Sequence, residues 1–161
     1  MSSRVYVAFL DSQKAFDTVW RAALMCKLFK LGIKGKIWSI INDCHVDTKS
    51  SVIVNQQNSM FFNVQQGVRK GGVLPGLLYL IFINDLLLDL ESSNINTGIF
   101  HLTTCSPALA DDISCISTSP TGLQRMLDTC SDYARKWRFC FNVQKSGVVQ
   151  FSPSTRTARL E

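Results

Sequence analysis

Residues 5–10 form an unbroken apolar run, rich in β-branched and aromatic side chains and without polar alternation. That pattern predicts a central strand buried on both faces, ending at Asp11. After a polar turn, the apolar positions switch to helical spacing at Trp20, Leu24, Leu28 and Leu31, and Gly32 supplies the stop. A second short helix is expected over roughly 34–44, with Ile37, Ile40, Ile41 and Cys44 on one face. Residues 51–55 and 60–65 flank Gln56-Gln57-Asn58-Ser59 and read as a β-hairpin. The basic, glycine-rich stretch 67–72 then leads into a long apolar segment over 74–90, which reads as a buried helix. Residues 91–104 read as a polar loop or edge hairpin.

In ALADDISCIS, residues 108–117, Asp111 and Asp112 stand between two apolar runs, which predicts a tight hairpin with both acids at its tip. Ser119-Pro120 is a helix start, and Leu123, Met126, Leu127, Cys130, Ala134 and Trp137 mark the inner face of the helix that follows. Short strands are expected at 139–143 and 148–151, with Lys145-Ser146 in the turn between them. The polar tail from Ser152 is expected to fray. The order β-α-α-ββ-α-ββ-α-β predicts an α+β fold, a mostly antiparallel sheet with helices on one face.

Composition narrows the chemistry. The chain has 161 residues, enough for one domain with a real core, expected over 4–152, with 153–161 as tail. Acids are scarce, ten Asp and two Glu (Glu91, Glu161), against 17 basic residues, so the net charge of +5 suits a polyanionic partner. Six cysteines show neither CxxC nor zinc-finger spacing and read as isolated thiols in a reducing compartment. Two histidines, His45 and His101, give little support to a histidine-based site. No signal peptide is expected ahead of the first strand. The uninterrupted apolar part of the long helix, 77–83, is too short to span a bilayer, so no membrane partner is expected.

Two adjacent carboxylates repel when ionised, and a hard divalent cation is the natural compensation. If the first strand neighbours the Asp111-Asp112 hairpin, Asp11 joins them at one sheet edge. Such a cluster suits two Mg²⁺ ions roughly 3.5–4 Å apart for phosphoryl transfer. The loop at 67–72 would be the phosphate approach, its glycines admitting the backbone and Arg69 and Lys70 adding charge. Each part alone has an ordinary reading: an Asp at a strand end forms turns, an Asp pair in a turn is solvated, and Lys145 is a surface lysine. The combination in this order is harder to explain that way.

The sequence resembles the reverse transcriptase domain of non-LTR (LINE-type) retrotransposons. Four stretches carry the resemblance in family order: VYVAFLDSQKAFDTVW, GVRKGGVLPGLLYLIFINDLL, ALADDISCIS and KWRFCFNVQKSGVVQFS, together covering about residues 4–152. The resemblance implies a palm with part of the fingers and no thumb. It implies an RNA-directed DNA polymerase that adds dNTPs to a DNA primer on an RNA template with two Mg²⁺ ions, Mn²⁺ being able to substitute. Asp11 and Asp111 would be metal ligands and Asp112 the third acid of the metal site. The Ser12 carbonyl would assist the nucleotide-side metal. Phe16 would pack beneath the sugar and exclude a 2′-hydroxyl, or serve only as a core aromatic. Lys70 and Gly71 would border the nucleotide, and Lys145 would protonate pyrophosphate. The nucleus is the expected location.

The chain departs from the family pattern at Lys70, where a Gln is usual, at Pro75-Gly76, where Ser-Pro is usual, and at Leu109, where an aromatic is usual. Lysine cannot accept a hydrogen bond, and glycine near a helix start costs up to ~1 kcal/mol. Fingers and thumb segments are expected to be missing, or encoded in flanking sequence. An alternative reading is therefore a truncated, inactive remnant that at most binds nucleic acid, and a third is a relic without function.

Overall fold

A computed structural model describes residues 4–69, 73–93, 106–109 and 111–152. Lys70, Gly71, residues 94–105 and the tail at 153–161 lie outside the described residues, so the readings made for them have no structural counterpart. The chain divides into two compact units.

The first unit draws its described residues from Met1–Ser12, Leu86–Arg135 and Cys140–Glu161. Its centre is a four-stranded sheet of order β6-β7-β1-β8, in which every neighbouring pair is antiparallel. The strands are β1 (Val5–Asp11), β6 (Ala108–Leu109), β7 (Asp112–Ser117) and β8 (Gly147–Phe151). The α+β reading holds. Strand β1 is central as expected, but it is not buried on both faces. Ala8, Ile113 and Cys115 are fully buried on one face, whereas Phe9 on the other is 48% exposed. An apolar run without alternation thus belongs here to a strand whose second face is closed at Val7 and open at Phe9.

Helix α5 (Pro120–Trp137) begins as the sequence predicts. The Ser119 hydroxyl accepts a hydrogen bond from the Gly122 N–H at 3.0 Å, which caps the first turn. Leu123, Met126, Cys130 and Ala134 are buried along one stripe. Cys130 Sγ lies 3.9 Å from Cys115 Sγ, so the helix covers the buried face of β7. Two of the thiols that looked isolated are therefore neighbours. The expected strand over 139–143 does not form. Phe141 makes a single bridge to Ser12, and the chain turns back at Asn142, whose carbonyl accepts from the N–H groups of Lys145 and Ser146. An asparagine that closes a local turn competes with strand pairing.

The second unit comprises Gln13–Asp85 and Lys136–Phe139. The helix expected through Trp20, Leu24, Leu28 and Leu31 starts at Arg21 as α2 (Arg21–Lys30), after a short α1 (Ala15–Thr18) and extended backbone at Val19 and Trp20. Gly32, at φ +89°, ends α2: its N–H donates to Phe29 O, and Ile33 N–H donates to Leu28 O, a Schellman closure. Helix α3 (Gly35–Asp43) buries Ile41 and leaves Ile37 and Ile40 exposed. The hairpin that follows has two short storeys. β2 (Lys49–Ser50) pairs with β5 (Phe62–Asn63), and β3 (Ile53–Val54) pairs with β4 (Gln57–Asn58). Its turn is Asn55-Gln56, both at positive φ, earlier than the four residues expected. Asparagine tolerates that conformation, and a two-residue turn of this kind matches strand twist.

Helix α4 (Val73–Ser93) contributes residues to both units. By length and composition Val73–Ser92 could cross a membrane, with a hydropathy of 1.8. Its stripe of buried residues (Leu78, Phe82, Leu86, Leu90) follows helical spacing, as in a core helix. Within the second unit, Lys27 reaches this helix. Its ammonium donates to Phe82 O at 2.6 Å, pairs with Asp85 at 3.0 Å and lies 4.0 Å from the centre of the Trp137 ring.

Two stability predictions follow from this packing. A Cβ at Gly67, at φ +84°, would lie 2.8 Å from Asp17 O and 2.9 Å from Phe16 O. Gly67→Ala is expected to cost about 1–3 kcal/mol in urea unfolding, and a neutral result would contradict the close approach. For Lys27, burial lowers the pKa from 10.5, opposed by Asp85. The folded state thus binds this proton less tightly than the unfolded chain does. Its contribution to stability rises as pH climbs through the window between the lowered value and 10.5. Lys27→Met is expected within about 1 kcal/mol of wild type at pH 7, because Asp85 is half-exposed and stays hydrated. Relative to that variant, wild type should gain stability between pH 7 and about 10. A relative loss over that range would reverse the sign and refute the assignment.

Candidate active site

The first unit brings Asp11 and Asp112 together. They are direct partners in the antiparallel β1/β7 pairing, so their side chains share one face of the sheet. That face also carries Phe9 and Ser114, which pair with each other in the same register. Asp111 lies in the turn between β6 and β7, whereas Asp112 opens β7. Only one of the two acids is thus at the hairpin tip, not both. Asp11 and Asp111 are partly exposed and Asp112 is exposed.

A turn fastened to Asp11 accounts for the place of Lys145. Asn142 N–H donates to Asp11 O at 2.7 Å. Asp11 N–H donates to the Ser146 hydroxyl at 3.2 Å, and that hydroxyl donates to Asn142 O at 2.8 Å. The turn at 142–146 is therefore tied to the backbone of the acid itself. Lys145 lines an open cleft of about 360 Å³ together with Phe9, Asp11, Pro107, Asp112 and Ser114. Ser12, 3% exposed, has a buried hydroxyl without a hydrogen-bond partner among the described residues.

Among the described residues no three His, Cys, Asp or Glu side chains form a ready-made metal cage. Mg²⁺ does not need one in phosphoryl transfer: one or two carboxylates plus substrate phosphates and water hold it. Facing carboxylates also repel across a strand pair unless a cation intervenes. The oxygen donors of Asp11 and Asp112, with Asp111 next in the chain, fit a hard divalent ion on those grounds.

The second unit holds the other expected nucleotide residue with a described position, Phe16. It lies in α1, partly buried, with its ring 5.4 Å from that of Tyr79. The start of the glycine-rich loop lies against it: Val68 N–H donates to Phe16 O at 2.8 Å, and Gly67 N–H donates to Val19 O at 2.9 Å. Sequence reasoning missed the residue that gathers this region, Arg21. Its guanidinium donates to the carbonyls of His45, Val64, Gln66 and Gly67 at 2.7 to 3.2 Å. No spacing rule marks an arginine whose acceptors are all backbone; its place directly after the FDTVW segment was the one available hint.

The family described as reverse transcriptase (RNA-dependent DNA polymerase) matches residues 1–157. The chain is 31% identical, over 92% of its length, to the RNA-directed DNA polymerase from mobile element jockey of Drosophila funebris. It is 30% identical, over 95% of its length, to the probable RNA-directed DNA polymerase from transposon BS of Drosophila melanogaster. It spans only 16% and 18% of those two proteins. Its fold matches 95% of the chain to telomerase from Candida albicans, solved with a fragment of telomeric RNA, at a TM-score of 0.71 and 14% identity. It likewise matches apo telomerase from Candida tropicalis, truncated from the C-terminal domain, at 0.69 and 18%, covering 96% of the chain. The chain covers 27% and 32% of those structures. The chain belongs to the reverse transcriptase (RNA-dependent DNA polymerase) family, with relatives among the non-LTR retrotransposons.

Proposed function

We propose that this chain is the catalytic palm of an RNA-directed DNA polymerase, adding deoxynucleotides to a DNA primer on an RNA template. The observation that carries this is the register of β1 with β7, which sets Asp11 opposite Asp112 on an open face with Lys145 in the same cleft. Divalent-metal use is general in the family, and Mg²⁺ in two sites is the reading here, with Mn²⁺ as a substitute. Bound there, such ions lower the pKa of the primer hydroxyl and neutralise charge building on the phosphate. The chain's own residues do the rest. Asp11, Asp111 and Asp112 supply oxygen ligands, and the ammonium of Lys145 stands ready to donate a proton to leaving pyrophosphate. Phe16 presents a flat apolar surface suited to a deoxyribose. Sequence is read by template pairing, so the protein contributes shape and charge. The family match and the telomerase solved with RNA support an RNA template. The nucleus is the working location that the family resemblance implies.

Primer extension on an RNA template with Mg²⁺ or Mn²⁺ tests the activity. Asp112→Asn is expected to reduce extension by more than about 100-fold, beyond the 10–100-fold typical of an outer-shell change. Calorimetry with Mn²⁺ alone tests the site apart from turnover, because Asp11→Asn and Asp111→Asn should each abolish binding while the circular dichroism spectrum is preserved. Unchanged Mn²⁺ affinity in both variants would remove these acids from the metal site. Primer–template binding by wild type without any extension would favour the inactive-remnant reading.

A further inference from the structure

Arg21 opens α2 in the second unit and makes no ion pair with any described carboxylate. Instead, four of its backbone acceptors come from three separate places in the chain: His45 after α3, Val64 after β5, and Gln66 and Gly67 at the start of the glycine-rich loop. The donors are spread over Nε, Nη1 and Nη2, so the bonds use the breadth of the planar fork and not simply its charge.

The loop held this way has almost no slack against the turn that carries Phe16. A Cβ at Gly67 would stand 2.9 Å from Phe16 O and 2.8 Å from Asp17 O, so the position leaves no room for a side chain. The N–H groups of Gly67 and Val68 are both committed to that turn. A shift of the Gly67 carbonyl away from Arg21 would therefore move the Val68–Phe16 contact with it.

The electrostatics also point toward a ligand. Burial lowers the pKa of Arg21, and the charge of Arg69 lowers it further. Two guanidinium groups thus act on each other around a cleft of about 490 Å³ that Thr48, Lys49, Ser50 and Gln66 also line. Among the described residues, Asp17 is the only acid in that lining. A fastening made only for stability gains nothing from a second cation beside it, whereas an arriving polyphosphate does.

We propose that Arg21 is a positioning residue for nucleotide binding: its guanidinium fork sets where the Gly67–Arg69 backbone lies against the Phe16 turn, and so how well a deoxynucleoside triphosphate is held, a role that rests on the polymerase reading above. Arg21 acts through the loop and does not itself touch the nucleotide. Lysine at this position keeps the charge but lacks the fork, so Arg21→Lys separates geometry from charge.

The test is equilibrium binding of dTTP to the full chain in Mn²⁺, with binding of Mn²⁺ alone and amide hydrogen exchange at Gly67 and Val68 measured on the same samples. Arg21→Lys is expected to weaken dTTP binding about tenfold, to leave Mn²⁺ binding unchanged and to speed exchange at both amides. Should that variant not fold by circular dichroism, Arg21→Gln is read in the same way. Rescue to wild-type affinity by lysine, or dTTP binding unchanged in a folded variant, overturns the positioning role alone. A wild-type chain that binds no dTTP in Mn²⁺ overturns the polymerase reading, and this role with it.

Discussion

A one-residue slip between β1 and β7 would send Asp11 to the opposite face of the sheet from Asp112, because side chains alternate at every residue. The register is held by what lies on the other face. Ala8 pairs with Cys115 and Leu10 with Ile113, and Ala8, Cys115 and Ile113 are shut away from solvent. Slipping would expose those side chains and bury the carboxylates, so the same apolar packing that stabilises the sheet also aligns the acids. The Asn142–Ser146 turn adds a second constraint, gripping both the N–H and the carbonyl of Asp11. The cation that would hold the carboxylates together as ligands is thus not needed to bring them face to face.

The second unit relies on a different device. Its strands are two residues long, and its outer hairpin exposes Ile53, Val54, Met60 and Phe61. In the stretch after β5, Val68 is buried, whereas Gln65, Gln66 and Arg69 are exposed. A single arginine adds to that anchor by donating to four carbonyls, those of Val64, Gln66 and Gly67 in this stretch and of His45 after α3, which is economical because one side chain carries five donors. Lys27 plays a comparable part against α4, where a buried ammonium is tolerated because a carbonyl, a carboxylate and an aromatic ring surround it.

Much of this was legible in the residues. The first strand, the Gly32 stop, the Ser119 cap and the long apolar helix all follow from local chemistry that does not depend on distant partners. The readings that missed are those decided by competition. Residues 139–143 have strand-like composition, but Asn142 closes a turn and leaves only the Phe141 bridge. The hairpin turn moved to Asn55-Gln56 because positive φ suits a two-residue connection. Asp112 left the tip for the strand because pairing with Leu109 and Asp11 satisfies its backbone.

For the site, the sequence by itself determined which groups are present: three carboxylates in two motifs, an aromatic after the first, a lysine in the last, and glycines in the loop between. Their order along the chain was enough to point to the family. Only the tertiary structure decided that Asp11 faces Asp112, that Lys145 lines their cleft, that Cys115 meets Cys130, and that Arg21 ties four carbonyls together. The physical reason is separation in sequence. Periodicity and turn chemistry act over a few residues, whereas the Cys115–Cys130 contact spans 15 residues and the Asp11–Ser146 bond that ties the Lys145 turn to the acid spans 135, and only closing the sheet and packing the helices brings such positions into range.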